Sequence, residues 1–407
     1  MKSGPSAWRK TKLKDVCDRI TVGYVGPMAD EYTPTGITFL RSQNITPFRL
    51  NLADVKFIPP AFHEKVKKSA LRPGDVAVVR TGYPGTACVI PDSLPDSNCA
   101  DLVVITPSKE LNSFYLAAIF NSAWGMASVR GNLVGVAQQH FNVGAAKEME
   151  VTLPPRAEQD RIAGILSAYD ELIDNSQRRI RLLEDMARAL YREWFVHFRF
   201  PGHDGSSPSG RGKGEGAKPI PRLPSALGDI PQGWEAGKLE DVLVLQRGFD
   251  LPKAQRVEGS VPIYAATGIN GYHSEAKVKA PGIVTGRSGS LGEVVYVQED
   301  FWPLNTALWV KQFPKSEPLY AYFLLSEIDL KGFNSGAAVP TLNRNDIHGL
   351  DALIPPRRLQ RRFQEIAGAM LTQSRTLTLQ IQTLRRTRDL LLPRLLSGQV
   401  ALEEAAN

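Results

Sequence analysis

Cysteine is scarce in this chain: Cys17, Cys88 and Cys99 are the only three, an odd number with no C-x-x-C spacing. That excludes a disulfide-stapled scaffold and a cysteine-ligated zinc site, and leaves buried apolar thiols in a reducing compartment. Long apolar runs are missing too. No segment approaches the roughly 18 uninterrupted apolar residues of a membrane span. The opening MKSGPSAWRKTKLKD has basic residues with no apolar core behind them, so a cytoplasmic chain without a membrane partner is expected. The six histidines are scattered without ligand spacing. Also lacking are G-x-x-x-x-G-K-[ST], a serine nucleophile elbow, H-E-x-x-H and a dinucleotide fingerprint. Glu275-Ala276-Lys277 with Asp250 upstream faintly resembles a nuclease metal site, a spacing that also arises by chance. Nothing here names a reaction.

What is present is a soluble composition with a tilt in charge. The 407 residues are too many for one ordinary core and suggest two or three domains. A net charge of +7 has the right sign for a polyanionic partner, though a merely soluble basic protein would look the same.

The chain is also written twice. LPPRAEQDRI begins at Leu153 and IPPRRLQRRF at Ile354, so that Pro154 is answered by Pro355, 201 positions on. The offset holds without a gap for about forty residues. Gln159 meets Gln360, Ile165 meets Ile366, and Ile180, Leu183 and Leu190 meet Ile381, Leu384 and Leu391. Upstream the match continues but the offset drifts. Trp8 and KLKDV at 12–16 answer Trp234 and KLEDV at 238–242, and Arg80 in RPGDVAVVRTGYPG answers Arg287 in APGIVTGRSGSLG.

Surface loops accept insertions cheaply, whereas one residue added to a helix rotates everything beyond it by about 100°. The part of constant length should therefore be helix that packs along its length. Its pattern agrees. With Ile162 at heptad position a, the a series runs Ile162, Tyr169, Ser176, Leu183, Leu190, and the d series Leu166, Ile173, Ile180, Ala187, Trp194. In the second copy a is Phe363, Met370, Leu377, Leu384, Leu391 and d is Ala367, Ser374, Ile381, Arg388, Leu395. Each helix could pack on its own globular half. Equal length and matching register favour instead a pair that forms an antiparallel coiled coil and acts as a spacer. The polar entries Ser176, Ser374 and Arg388 either set register or face solvent.

These signals give a mixed α/β (α+β) fold with an internal tandem repeat. The boundaries are a first globular half at 1–152, a spacer helix at 153–198, a Pro/Gly/Ser-rich connection at 199–232, a second half at 233–353, a second helix at 354–398 and a tail at 399–407. Pro393 should kink or end the second helix near Leu392, with Ser397-Gly398 closing it. The halves carry β-rich runs (DVAVVRT, TACVIP and DLVVITP; PIYAAT, GIVTGRSG, EVVYV and ALWVKQF) and one apolar helix each, SFYLAAIFNSAWGMASV and EPLYAYFLLSEI.

Side chains suited to base edges recur at the ends of these runs. They are Arg41, Gln43 and Asn44 in FLRSQNI; Arg80 and Thr81; Gln138, Gln139 and His140 in GVAQQHF; Asn270 in GINGYH; Arg287 and Ser288; and Asn343, Arg344 and Asn345 in TLNRNDI. Arginine pairs with guanine, and Asn or Gln with adenine, in the major groove. Each can equally be a solvated loop or turn-capping residue, and it is recurrence at equivalent places that raises them.

LPPRAEQDRIAGILSAYDELIDNSQRRIRLLEDMARALYREWFVHF, with IPPRRLQRRFQEI and LLPRLLSGQV, resembles the repeated helical regions of specificity subunits from type I restriction-modification systems. WRKTKLKDV and IPQGWEAGKLEDV resemble the starts of their two target recognition domains. The resemblance implies that 1–152 and 233–353 are those domains, each reading half of an asymmetric bipartite site in double-stranded DNA, and that the paired helices fix the gap. It further implies two methyltransferase subunits that bind S-adenosylmethionine and methylate adenine, and restriction motor-nuclease subunits that use ATP and Mg, with no catalysis or cofactor on this chain. Methylating a base requires flipping it from the stack, so a partner held in register beside a reader makes physical sense. Other classes remain: a self-contained nuclease or methyltransferase, or a coiled-coil interaction protein that binds no DNA.

Overall fold

The structure, a computed structural model, describes residues 8–133, 140–201, 222–225, 227–333 and 341–400. It divides into two compact units, Met1–Ser176 with Leu379–Asn407, and Gln177–Thr378. The division falls inside both long helices, Arg156–Tyr191 and Arg357–Leu396, so each unit is one globular half plus a stretch of both.

In the first unit a four-stranded antiparallel sheet runs in the order Cys17–Val22, Leu102–Pro107, Val76–Val79, Ala87–Val89. Its two central strands are apolar throughout Val76–Val79 and over 102–105, because both faces are covered there. Val76, Val78, Val103 and Ile105 face the core shared with the helices, and Ala77, Val79, Leu102 and Val104 face a second core. A second four-stranded sheet holds Ile37–Leu40 parallel to Ser97–Cys99. In the second unit the same plan returns. Val244–Arg247, Ala307–Gln312, Gly282–Gly286 and Val294–Val297 form the four-stranded sheet, and Val261–Ala265 runs parallel to Trp302–Pro303.

Both long helices begin on the same buried bracket. Gln159 donates Nε2 to the carbonyls of Glu110 and Pro154, both at 3.0 Å, and accepts the Asn112 amide at 2.9 Å. Gln360 does likewise with Lys315 (3.1 Å), Pro355 (2.7 Å) and the Glu317 amide (2.8 Å). Tyr115 and Tyr320 donate to the carbonyls of Thr152 and Leu353, two residues before each doubled proline.

Within each unit the helices pair antiparallel. In the first, Ile162 and Leu166 share a core with Leu392 and Leu395. In the second, Ala187, Tyr191 and Trp194 share one with Phe363, Ala367 and Leu371. Ile162, Leu166, Ile173, Phe363, Leu377 and Ile381 are buried, and Tyr169, Ile180, Leu183, Leu190, Met370, Leu384 and Leu391 half-buried. Two of the three polar positions, Arg388 and Ser374, are partnered rather than solvated, and Ser176 is half-buried. Arg388 pairs with Asp170 at 2.5 Å in the first unit, and Ser374 donates to Glu184 at 2.9 Å in the second.

Four expectations need correction. Pro393 does not stop its helix, which continues to Leu396. The lost amide falls in the last turns, where burial of Leu392 and Leu395 outweighs it, and Gly398 (φ 68°) closes the end. The first helix gives way at Tyr191 to a wide π turn, Arg192–Val196, which aims Trp194 and Phe195 into the core. The connection at 199–232 ends in a strand pair, Arg222–Ser225 with Gly228–Pro231, anchored by buried Ile230. SFYLAAIFNSAWGMASV is two helices, Ser113–Asn121 and Ala123–Gly131. Ser122 breaks it by accepting the Gly125 amide at 3.0 Å, a helix-start bond.

Candidate nucleic-acid interface

The antiparallel ladder that pairs Val79 with Leu102 ends by setting Arg80 beside Asp101. Arg80 Nη1 meets Asp101 Oδ1 at 2.8 Å, and Thr81 Oγ1 donates to Asp101 Oδ2 at 2.9 Å. Arg80 also gives Nε to the Phe141 carbonyl (3.2 Å) and receives the Phe141 amide on its own carbonyl. With 12% of its side chain exposed, Arg80 is a brace. His140, half-buried, precedes that contact; Gln138 and Gln139 lie outside the described residues.

Leu40 and Cys99 are partners in the parallel pair, and Ala100 donates to Leu40. Arg41 therefore leaves the sheet at the same end as Asp101. Its Nη2 donates to Asp54, main chain at 2.6 Å and carboxylate at 3.0 Å, and exposed Gln43 donates to the same carboxylate at 2.8 Å. Arg41, Lys56 and Gln43 together hold the Asp54 carboxyl below its ordinary range. Asn44 is corrected from reader to scaffold. It is 1% exposed, so a base edge cannot reach it, and its carboxamide bridges the Arg41 amide (2.9 Å) and the Asn51 carbonyl (2.8 Å).

In the second unit Arg287 donates its amide to Thr306 and accepts the Leu342 amide at 2.8 Å, the counterpart of Arg80 with Phe141. Its guanidinium has a different setting. Nη1 reaches only the Asn305 carbonyl, at 3.4 Å, and among the described residues Arg287 makes no ion pair. Ser288 bridges to Thr341. Asn343 caps the short helix Arg344–His348 through the Asn345 amide at 3.1 Å, as Asn142 caps Val143–Glu148 through Ala145. The turn-capping reading holds for Asn343, while Arg344 and Asn345 project exposed side chains from that cap. Asn270 is exposed and its Oδ1 accepts from Arg256 at 3.1 Å.

The structure thus gathers Arg80, Thr81 and His140 near one ladder end, sets the Arg41–Gln43 turn off the same sheet edge, and groups Arg287, Ser288 and the Asn343–Asn345 cap at the equivalent end of the second unit. Sequence reasoning missed the carboxylates that hold the arginines. Asp101 was recoverable, because aligning DVAVVRT antiparallel with DLVVITP sets it against Arg80. It also missed Tyr83, 83% exposed in the turn after Thr81.

Asp250 accepts from Asn305, and Lys277 lies over the Trp302 ring at 4.8 Å. Among the described residues no three His, Cys, Asp or Glu side chains gather to hold a metal, and no helix is long and apolar enough to cross a membrane.

The family described as type I restriction modification DNA specificity domain matches residues 5–185 and 231–383. The specificity subunit of the type I restriction enzyme MjaIX of Methanocaldococcus jannaschii is 25% identical over 329 residues, 74% of this chain and 72% of that protein. The crystal structure of a type I restriction-modification S subunit from M. genitalium superposes with a TM-score of 0.63 at 16% identity, covering 97% of each chain, which shows a shared fold. Two matched segments, each covering one globular half and part of the long helix after it and together most of the sequence, make this chain a member of the type I restriction-modification DNA specificity family, whose role is recognition of a DNA target.

Proposed function

We propose that each unit reads one half of an asymmetric bipartite target in double-stranded DNA and that the two continuous helices set the gap. The carrying observation is that Arg80 and Arg287 occupy one place in a duplicated frame with different side chains around them. Same frame and different chemistry is what two half-sites of unlike sequence require. Helices of 36 and 40 residues are about 54 and 60 Å long at 1.5 Å per residue, enough to span the roughly 34 Å of a helical turn of duplex. On this reading the chain is a non-catalytic cytoplasmic subunit without a cofactor. It holds two adenine methyltransferase subunits that bind S-adenosylmethionine, and restriction subunits that use ATP and Mg.

Methylome sequencing of a host carrying the chain with its methyltransferase tests this. One asymmetric, gapped motif is expected, and inserting one helical turn of four residues in either long helix should alter the gap while both half-sites persist. Altered half-sites with an unaltered gap would count against it. So would turnover of duplex DNA by the purified chain alone with S-adenosylmethionine or Mg, or binding to duplex that ignores rising salt.

A further inference from the structure

The turn that carries Arg41, Gln43 and Asp54 is one end of a loop whose other end touches the long helices. Ile45–Thr46 pairs with Arg49–Leu50, Asn44 ties across to Asn51, and Phe48, at φ 67°, forms the tip. The Phe48 amide fixes that tip to the central sheet through the Ala87 carbonyl at 2.9 Å. Beyond the tip, Arg49 donates Nη2 to the Asp170 main-chain carbonyl and Nη1 to the Asp174 carboxylate, both at 2.6 Å. The Asp170 carboxylate lies 3.6 Å from Arg49 and 2.5 Å from Arg388 of the second long helix. Arg388 in turn sits 5.2 Å from the Phe48 ring and contacts Asp389 at 2.9 Å. Arg388 and Asp170 are only 13% and 14% exposed.

We infer that Arg49, Asp170 and Arg388 form a register lock. They are positioning residues that fix the stagger of the two helices in the first unit and, together with it, the place of the Arg41–Gln43–Asp54 turn. The argument is one of degeneracy. A seam of leucine and isoleucine packs nearly as well after a slip, since one apolar knob replaces another. A largely desolvated carboxylate shared by two guanidinium groups does not, because a slip strands buried charges without partners. Arginine suits the post, since its fork serves Asp170, Asp389 and an aromatic face at once. The corresponding tie in the second unit is looser. Arg375 meets Glu299 at 3.0 Å with side chains 33% and 45% exposed.

The inference rests on the proposed function, and one experiment separates the two. The full chain is expressed with its methyltransferase and the methylome is read. A native chain that marks no bipartite motif fails the proposed function; a native chain that marks one sets the control. Arg388→Met keeps the apolar stem, and Arg49→Met leaves the helix seam untouched. Both should raise methylation at targets whose gap is one base pair off by about tenfold, with half-site sequences unchanged. Arg388→Lys keeps a charge for Asp170 but loses the fork, so its off-gap methylation should fall between native and Arg388→Met, and Arg375→Met should keep the native gap. If Arg388→Met fails to assemble with the methyltransferase, Arg49→Met decides. A strict native gap in Arg49→Met overturns the lock, as does Arg388→Lys behaving like Arg388→Met.

Discussion

Arg80 and Arg287 leave equivalent strands and accept the same main-chain bond, from Phe141 and Leu342, and then differ in what holds the guanidinium. In the first unit a carboxylate grips it, and in the second it reaches a carbonyl at 3.4 Å. The brackets behind them show no such divergence. Gln159 and Gln360 make the same three bonds, and Tyr115 and Tyr320 the same one. A buried polar bracket tolerates no partial change, because each unmet group inside costs more than the bond it made. A strand end open to solvent can vary its side chains freely. The duplication has kept what fastens helix to sheet and let drift what can touch a ligand.

The largest expected effect tests the shared part. Gln159→Leu and Gln360→Leu each leave two carbonyls and an amide unmet in the interior, a loss of about 3 kcal/mol of folding stability in either case. Thermal unfolding and hydrogen exchange of the two variants should give matching losses. A large inequality would break the equivalence of the brackets.

A smaller effect tests the diverged part. Arg80→Ala removes the charged one of Asp101's two partners, leaving Thr81, and should lower stability by about 1–2 kcal/mol. Arg287→Ala should stay within roughly 0.5 kcal/mol of native stability. It should instead weaken binding to the native target by about 1–3 kcal/mol and relax the second half-site only. Unfolding curves beside duplex titrations separate these. Equal destabilisation with no loss of binding would mean that Arg287 is scaffold too.

Much of this was readable from sequence for a physical reason. A packed helix admits no insertion, so the repeat kept its register there and exposed Gln159, Gln360 and the heptad positions. What hid was decided by distant partners. Arg388 read as register-setting or solvated until Asp170, 218 positions away, settled it. Asn44 read as a reader because a three-residue helical turn buried by Asn51 leaves no periodic trace. Pro393 read as a kink or an end, and the helix runs on past it because proline chemistry is local while the burial of Leu395 is not.

The smallest expected effect lies where KLKDV and KLEDV differ by one letter. In the first unit Lys12 and Lys14 both reach Glu148, each at 2.7 Å, and their donation holds its carboxyl down to about 2. In the second, Glu240 stands where Lys14 does, and Lys238 reaches Asp351 at 2.7 Å. A depressed carboxyl favours the folded state above its ordinary value of 4.5 and forfeits that as pH falls toward about 2. Acid unfolding followed by probes in each unit should therefore show an extra loss in the first between those limits, removed by Glu148→Gln. The groups are exposed, so the difference should be slight and should fade near 1 M salt, where the screening length is about 3 Å. A loss that survives both the substitution and the salt would have to come from some other carboxylate of the first unit, and the one-letter difference between the two domain starts would then carry no consequence for acid stability.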